Sequence, residues 1–150
     1  MTTLTVQWQR LVEGGATCPR CGSTGDEVRK AANALGQALK PLGIEVALNE
    51  VEIGLPEFKN RPLESNRILI GGRSLEEWLG ATAGQSPCCE VCGPNECRTV
   101  TVDGQTHETI PAALVIRAGL LAAAQLTSAG SEQSCCAPVV AGPNAKGCCP

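Results

Sequence analysis

Apolar and polar residues alternate with period two along Leu4-Thr5-Val6-Gln7-Trp8-Gln9, which predicts a strand with one buried face. Beyond Gly14-Gly15 and the stretch Cys18-Pro19-Arg20-Cys21-Gly22, the residues Thr24-Gly25-Asp26-Glu27 have capping-box spacing. Val28, Ala31, Ala32, Leu35, Ala38, Leu39 and Leu42 then recur at helical spacing, predicting a helix that starts at this box and ends at Gly43. Ile44-Glu45-Val46-Ala47-Leu48 resumes the alternation. The opening therefore reads strand, helix, strand, with a connection long enough for a parallel crossover.

Residues 55 to 63 form a turn-rich link with room for one short helix, and Arg67 to Ile70, ending at Gly71-Gly72, reads as a short strand. Ser74 caps a short helix carrying Leu75, Trp78 and Leu79, with Glu76 and Glu77 in the first turn, where the helix dipole favours acidic residues. Thr99 to Val102 and Gln105 to Thr109 flank Asp103-Gly104 as a hairpin. Pro111 opens a last helix, Ala112 to about Leu126, apolar nearly all round with Arg117 its only charge. At ~16 residues it falls short of the ~20 needed to span a bilayer, so it is expected to press on a sheet. His107, the one histidine, is read as a surface residue.

These elements predict an α/β fold, a small mixed sheet flanked by helices. Residues 1–126 form one domain with a Cys-rich insert at 81–98. Residues 127–150, rich in Ser, Gly, Ala and Pro, form a tail expected to be disordered without a ligand. A chain of 150 residues that is 43% hydrophobic and 18% charged suits one such domain with a core. With a net charge of -3 and only Trp8, Trp78 and Phe58 as aromatics, it has little with which to bind phosphates or stack on bases. Nucleic acid is therefore not an expected partner.

Composition changes the picture most through its ten cysteines. The first fifteen residues have neither a basic segment nor an apolar one, so a cytoplasmic location is expected, where clustered thiols bind metal or do redox chemistry. The cysteines form three groups: Cys18 and Cys21; Cys88, Cys89, Cys92 and Cys97; and Cys135, Cys136, Cys148 and Cys149. The adjacent pairs Cys88-Cys89, Cys135-Cys136 and Cys148-Cys149 could close a disulfide only through a strained ring.

Cys18 and Cys21 allow two readings. As a redox pair, one thiol attacks and the other resolves, with Arg20 and a helix N-terminus favouring the thiolate; the capping box, however, starts the helix too late to lend its dipole. As a zinc knuckle, Cys18-Pro19-Arg20-Cys21-Gly22 would join Cys89-Glu90-Val91-Cys92-Gly93 in a closed four-thiolate site. The 67 residues between Cys21 and Cys89 exceed a usual ribbon loop, so only the fold could bring the two knuckles together, with the helix from Ser74 to Gly80 able to run the chain back. The mid-chain group can also act alone: four thiols within ten residues, bent by Pro87, Gly93 and Pro94, suit a soft ion such as copper(I), mercury, zinc or trivalent arsenic.

The run from Leu4 to Ala124, with Trp8-Gln9-Arg10, Cys18-Pro19-Arg20-Cys21-Gly22, Ser65-Asn66-Arg67-Ile68-Leu69-Ile70, Ser86-Pro87-Cys88-Cys89 and Ile110-Pro111-Ala112, resembles an uncharacterised bacterial family of the thioredoxin-like superfamily. The resemblance implies a thioredoxin-like fold and no function. Where thioredoxins carry a cis-proline opposite their Cys-x-x-Cys, this chain has Ser65 and Asn66. The paired cysteines of the tail are similar to the C-terminus of the arsenic metallochaperone, which delivers trivalent arsenic to an efflux ATPase.

The reading is a protein that binds or transfers a soft metal or metalloid, arsenite, mercury, copper(I) or zinc, in metal resistance. Cys88, Cys89, Cys92 and Cys97 are the first-choice ligands, Cys18 and Cys21 the second, and the tail pairs auxiliary. An efflux ATPase or a thiol reductant protein is the expected partner. The alternatives are a thiol-disulfide oxidoreductase using Cys18 and Cys21, and a zinc-stabilised interaction module.

Overall fold

The computed structural model describes residues 2–87 and 96–128. It is a mixed α/β structure of two sheets and four α-helices. Strand β1 (Thr2–Glu13) is the centre of the larger sheet. It turns through Gly14 and Gly15, both with positive φ, into the short antiparallel β2 (Ala16–Thr17). Helix α1 (Pro19–Leu39) follows, and a short 3-10 turn ends at Gly43 with φ 68. Strand β3 (Ile44–Ile53) then returns parallel to β1, in register from Thr2↔Ile44 to Leu11↔Ile53, as its outer neighbour.

After α2 (Leu55–Asn60), strand β4 (Arg67–Ile70) pairs antiparallel with the other side of β1, and β5 (Arg73–Ser74) pairs with β4. Leu4, Val6 and Trp8 alternate inward from β1 and are buried, as the period-two pattern predicts. Helices α1 and α4 (Ala112–Ser128) cover that face. They approach closely because Gly119 of α4 has no side chain: a Cβ there would stand 2.4 Å from Leu35 Cδ1.

Ser74 caps α3 (Leu75–Leu79) as expected, its Oγ accepting from Glu77 N at 3.2 Å. The second sheet is the antiparallel order β6 (Thr82–Pro87), β7 (Glu96–Val102), β8 (Gln105–His107). Its β7–β8 turn is the expected Asp103-Gly104, at φ 52 and 77, the two positive values that such a hairpin turn requires. The described part of the expected insert is thus not a loop but the two-stranded arm β6–β7. His107 is part-buried on β8, opposite Val100.

Helix α1 corrects the sequence reading. It starts not at the capping box but five residues earlier, with Pro19 at its first position and Cys18 as N-cap. Proline there loses no N–H and arrives with a helical φ. Gly25 lets the helix lie close to the sheet, since a Cβ there would meet the Trp8 ring at 2.4 Å. The predicted box residues cap another helix. Thr24 Oγ1 accepts from Ile110 N at 3.1 Å, and Glu27 Oε2 accepts from Ala112 N at 2.8 Å, so both serve the start of α4.

Residues 129–150, which hold most of the predicted tail with Cys135, Cys136, Cys148 and Cys149, lie outside the described residues, as do Cys88, Cys89 and Cys92. Helix α4 runs to Ser128, slightly past the expected boundary at 126. Among the described residues no helix is long and apolar enough to cross a membrane.

Candidate thiolate site

Cys18 ends the approach from β2 with an extended backbone (φ −71, ψ 155) and turns its Sγ into the first turn of α1, where it accepts from Cys21 N at 3.4 Å. Gly22 N closes that turn on Cys18 O at 2.9 Å. A thiol in this position takes the part usually played by Ser or Asp at an N-cap, and unsatisfied N–H groups at a helix start favour a thiolate. The delayed helix start that counted against a redox pair is therefore absent. Cys18 and Cys21 are both completely buried.

Arg20, between them, reaches across to the arm. Its Nη1 donates to Ser86 Oγ at 2.9 Å and its Nη2 to Pro87 O at 2.8 Å. Its guanidinium also pairs with Glu108 at 3.2 Å, and Ser86 Oγ donates on to Glu108 Oε1 at 3.1 Å. The Arg20 side chain is only 8% exposed. Its charge is thus directed at the arm and at Glu108, a different use from the one expected of it.

This bridge settles the path of the chain. The short α3 does lead it back, so that the β6–β7 arm returns to the Cys18 end of the molecule. Ser86 faces Cys97 in the ladder, and Pro87 faces Glu96. Directly opposite residues of an antiparallel pair project to the same face. Cys97, also completely buried, therefore shares the face on which Ser86 meets Arg20. Pro87, the last described residue before Cys88, is held at the Cys18–Cys21 turn by Arg20.

Two further networks fix the arm. Arg98, next to Cys97, donates to Glu76 Oε1 from Nε at 2.9 Å and Nη2 at 2.8 Å, and from Nη1 to Leu63 O. Both side chains are about nine-tenths buried. Glu76 stands in the first turn of α3 as expected, and it is also the buried partner of the arm. On the other side, Trp8 Nε1 donates to Asn66 Oδ1 at 3.4 Å, and Asn66 Nδ2 donates to Glu108 O at 3.4 Å. Asn66 is buried at φ 56, a left-handed backbone that asparagine tolerates better than most residues.

Among the described residues no group of three or more His, Cys, Asp or Glu stands close enough to hold an ion. Cys18, Cys21 and Cys97 are thus not grouped as ligands of one ion, and Cys88, Cys89 and Cys92 lie outside the described residues. Sequence reasoning grouped Cys97 with its neighbours in the chain and passed over Ser86, Arg98 and Glu108. Ser86-Pro87 beside Cys88 was the one local signal of an anchored segment.

The profile of a family described as a domain of unknown function (DUF2703) matches residues 4–119. An "Uncharacterized protein" of the archaeon Archaeoglobus fulgidus is 50% identical over 112 residues, covering 75% of this chain and 82% of that relative. No solved structure matches.

Proposed function

We propose that this chain, which belongs to the DUF2703 family, binds a soft metal or metalloid ion through thiolates that its fold gathers at the start of α1. The observation that carries this reading is the buried Arg20 bridge to Ser86 and Pro87, which ties the Cys18–Cys21 turn to the strand leading into Cys88 and Cys89. Cys97 is buried on the face of the arm where Ser86 meets Arg20, and Cys88, Cys89 and Cys92 are the further ligands of the proposed site. Thiolate-only ligand sets select zinc, copper(I), mercury or trivalent arsenic over harder ions. The order of elements supports a thioredoxin-like arrangement: a Cys-x-x-Cys opening the helix between parallel β1 and β3, with β4 antiparallel beside them. Cys135, Cys136, Cys148 and Cys149 are auxiliary capture thiols, and an efflux ATPase or a thiol reductant protein in a cytoplasmic resistance system is the partner.

Native mass spectrometry of the reduced full chain, with and without arsenite or zinc, tests the reading. One ion is expected on the wild type and on a variant with the four tail cysteines changed to serine, and none on Cys18→Ser/Cys97→Ser. Absence of any thiophilic ion from the wild type would end it.

A second reading, thiol-disulfide exchange, is favoured by Cys18 as N-cap of α1. It predicts reduction of a dye-linked disulfide that Cys18→Ser abolishes.

A further inference from the structure

We propose that the outward face of α4 is a homodimer interface, on which a second copy of this chain packs antiparallel about a two-fold axis between Leu120 and Leu121. The pairing needs no bound ion and is independent of the soft-ion reading above.

Helix α4 turns Val115, Ala118, Gly119, Ala122 and Ala123 to the core. Its other side carries Ala113, Arg117, Leu120, Leu121, Ala124 and Ser128, all exposed. A surface helix ordinarily sets charged and polar residues on its outer side, and one that is apolar nearly all round belongs in an interior. Here Arg117 is the only charge on the helix. Among the described residues five large apolar side chains are exposed, and three of them, Leu120, Leu121 and Leu126, stand on this helix. Leu120 and Leu121 are adjacent, at 47% and 44% exposure.

A second copy fits this face because its exposed positions are symmetric about the point between Leu120 and Leu121. With the direction reversed, Leu120 meets the second copy's Leu121, Arg117 meets its Ala124, and Ala113 meets its Ser128. Antiparallel helices crossing at about 20° keep such positions in contact along a 17-residue helix, over a length of ~26 Å. The alanines on the stripe let the two axes come close.

Charge agrees with the same register. Glu77 of α3 lines the groove beside Leu121, Ala124 and Gln125, so an Arg117 that faces Ala124 of the other copy also faces that copy's Glu77. Two such pairs then flank four leucines. Within one chain Arg117 pairs with Asp103 at 3.3 Å and Glu77 with Arg73 at 3.5 Å, with all four side chains at least 45% exposed. Exposed pairs of this kind are weakly held and can exchange partners. Residues 129–150 offer these leucines only Val139 and Val140 as large aliphatic side chains, whereas a second copy offers two more leucines. One helix and the adjoining groove make a small interface, which suits a reversible dimer with dissociation in the micromolar range.

Sedimentation equilibrium of the full chain over ~10–300 µM tests this, in reductant and chelator to exclude disulfide-bridged and metal-bridged dimers. Reversible dimerisation is expected. Glu77→Arg and Arg117→Glu, each alone, should weaken it at least ~10-fold by setting like charges face to face, and the two together should recover it to within ~3-fold. Leu121→Glu should give a monomer whose circular dichroism matches the wild type. A wild type that stays monomeric over this range overturns the proposal. So does a dimer that Leu121→Glu leaves intact, or one that the double charge reversal fails to recover.

Discussion

Replacing Arg20 by lysine keeps the charge and removes the fork, while alanine removes both. Arg20 makes two short hydrogen bonds to the arm, to Ser86 Oγ at 2.9 Å and Pro87 O at 2.8 Å. Hydrogen bonds to a charged group contribute ~1.5–3 kcal/mol each, and the low end applies because Pro87 O is open to water once the arginine is gone. The Glu108 carboxylate is 61% exposed, so that ion pair adds ~0.5 kcal/mol at most. The bridge is therefore worth ~3 kcal/mol in Arg20→Ala and about half that in Arg20→Lys, which keeps one bond. If the bridge holds the two thiol groups at one site, a ~3 kcal/mol loss appears in ion affinity as a ~150-fold weakening. Titration with zinc against a competing chelator measures this, and the thiolate-to-cobalt(II) charge-transfer band reports how many sulfurs still bind. An Arg20→Ala protein that binds zinc within about twofold of the wild type, with an unchanged cobalt band, would refute the shared site.

Gly25→Ala is expected to destabilise in urea melts, because the overpacking cost of ~1–3 kcal/mol against the Trp8 ring exceeds the ~1 kcal/mol gain in helix propensity. Gly36→Ala, in the same helix with nothing within 4 Å, should instead stabilise by up to ~1 kcal/mol. Arg98→Met should cost ~3–5 kcal/mol by leaving the Glu76 carboxylate buried without its partner, whereas Arg98→Met with Glu76→Leu should lie near the wild type in the same melts. The hydrogen bond from Lys30, and then that from Ala112 N, hold the Glu27 carboxyl below the usual glutamate range. Its stabilising contribution is thus present above the unfolded pKa, near ~4.3, and is lost as pH falls through the lower folded value. Thermal melts from ~pH 6 down to ~pH 3 should show the wild type losing more stability than Glu27→Gln.

Leu4, Val6 and Trp8 announced β1 because it buries one face, and the Asp103-Gly104 turn announced the β7–β8 hairpin, whereas β6 was read as part of the insert. The start of α1 was not legible. Spacing can show that Thr24 and Glu27 lie on one face of a helix, but which N–H groups they meet depends on the tertiary approach of Ile110 and Ala112. Glu76 was legible as a first-turn residue of α3, but its buried pairing was not, since that depends on Arg98 arriving from β7. The candidate thiols were legible as three groups along the chain. That the arm returns to Arg20 was not, because it is a contact that spans 66 residues.

The outer position of β3 bears on how the protein behaves when concentrated. Among the described residues, ten residues of this strand pair with β1 and with no other strand, which leaves a row of backbone donors and acceptors along the other side. Such a rim invites strands from other copies and, in time, fibrous aggregates. Here Glu45, with Glu50 held by Arg29 and Glu52 by Arg10, keeps charged side chains along it, a device that blunts such pairing. Neutralising them would make this rim the first place for the protein to come out of solution.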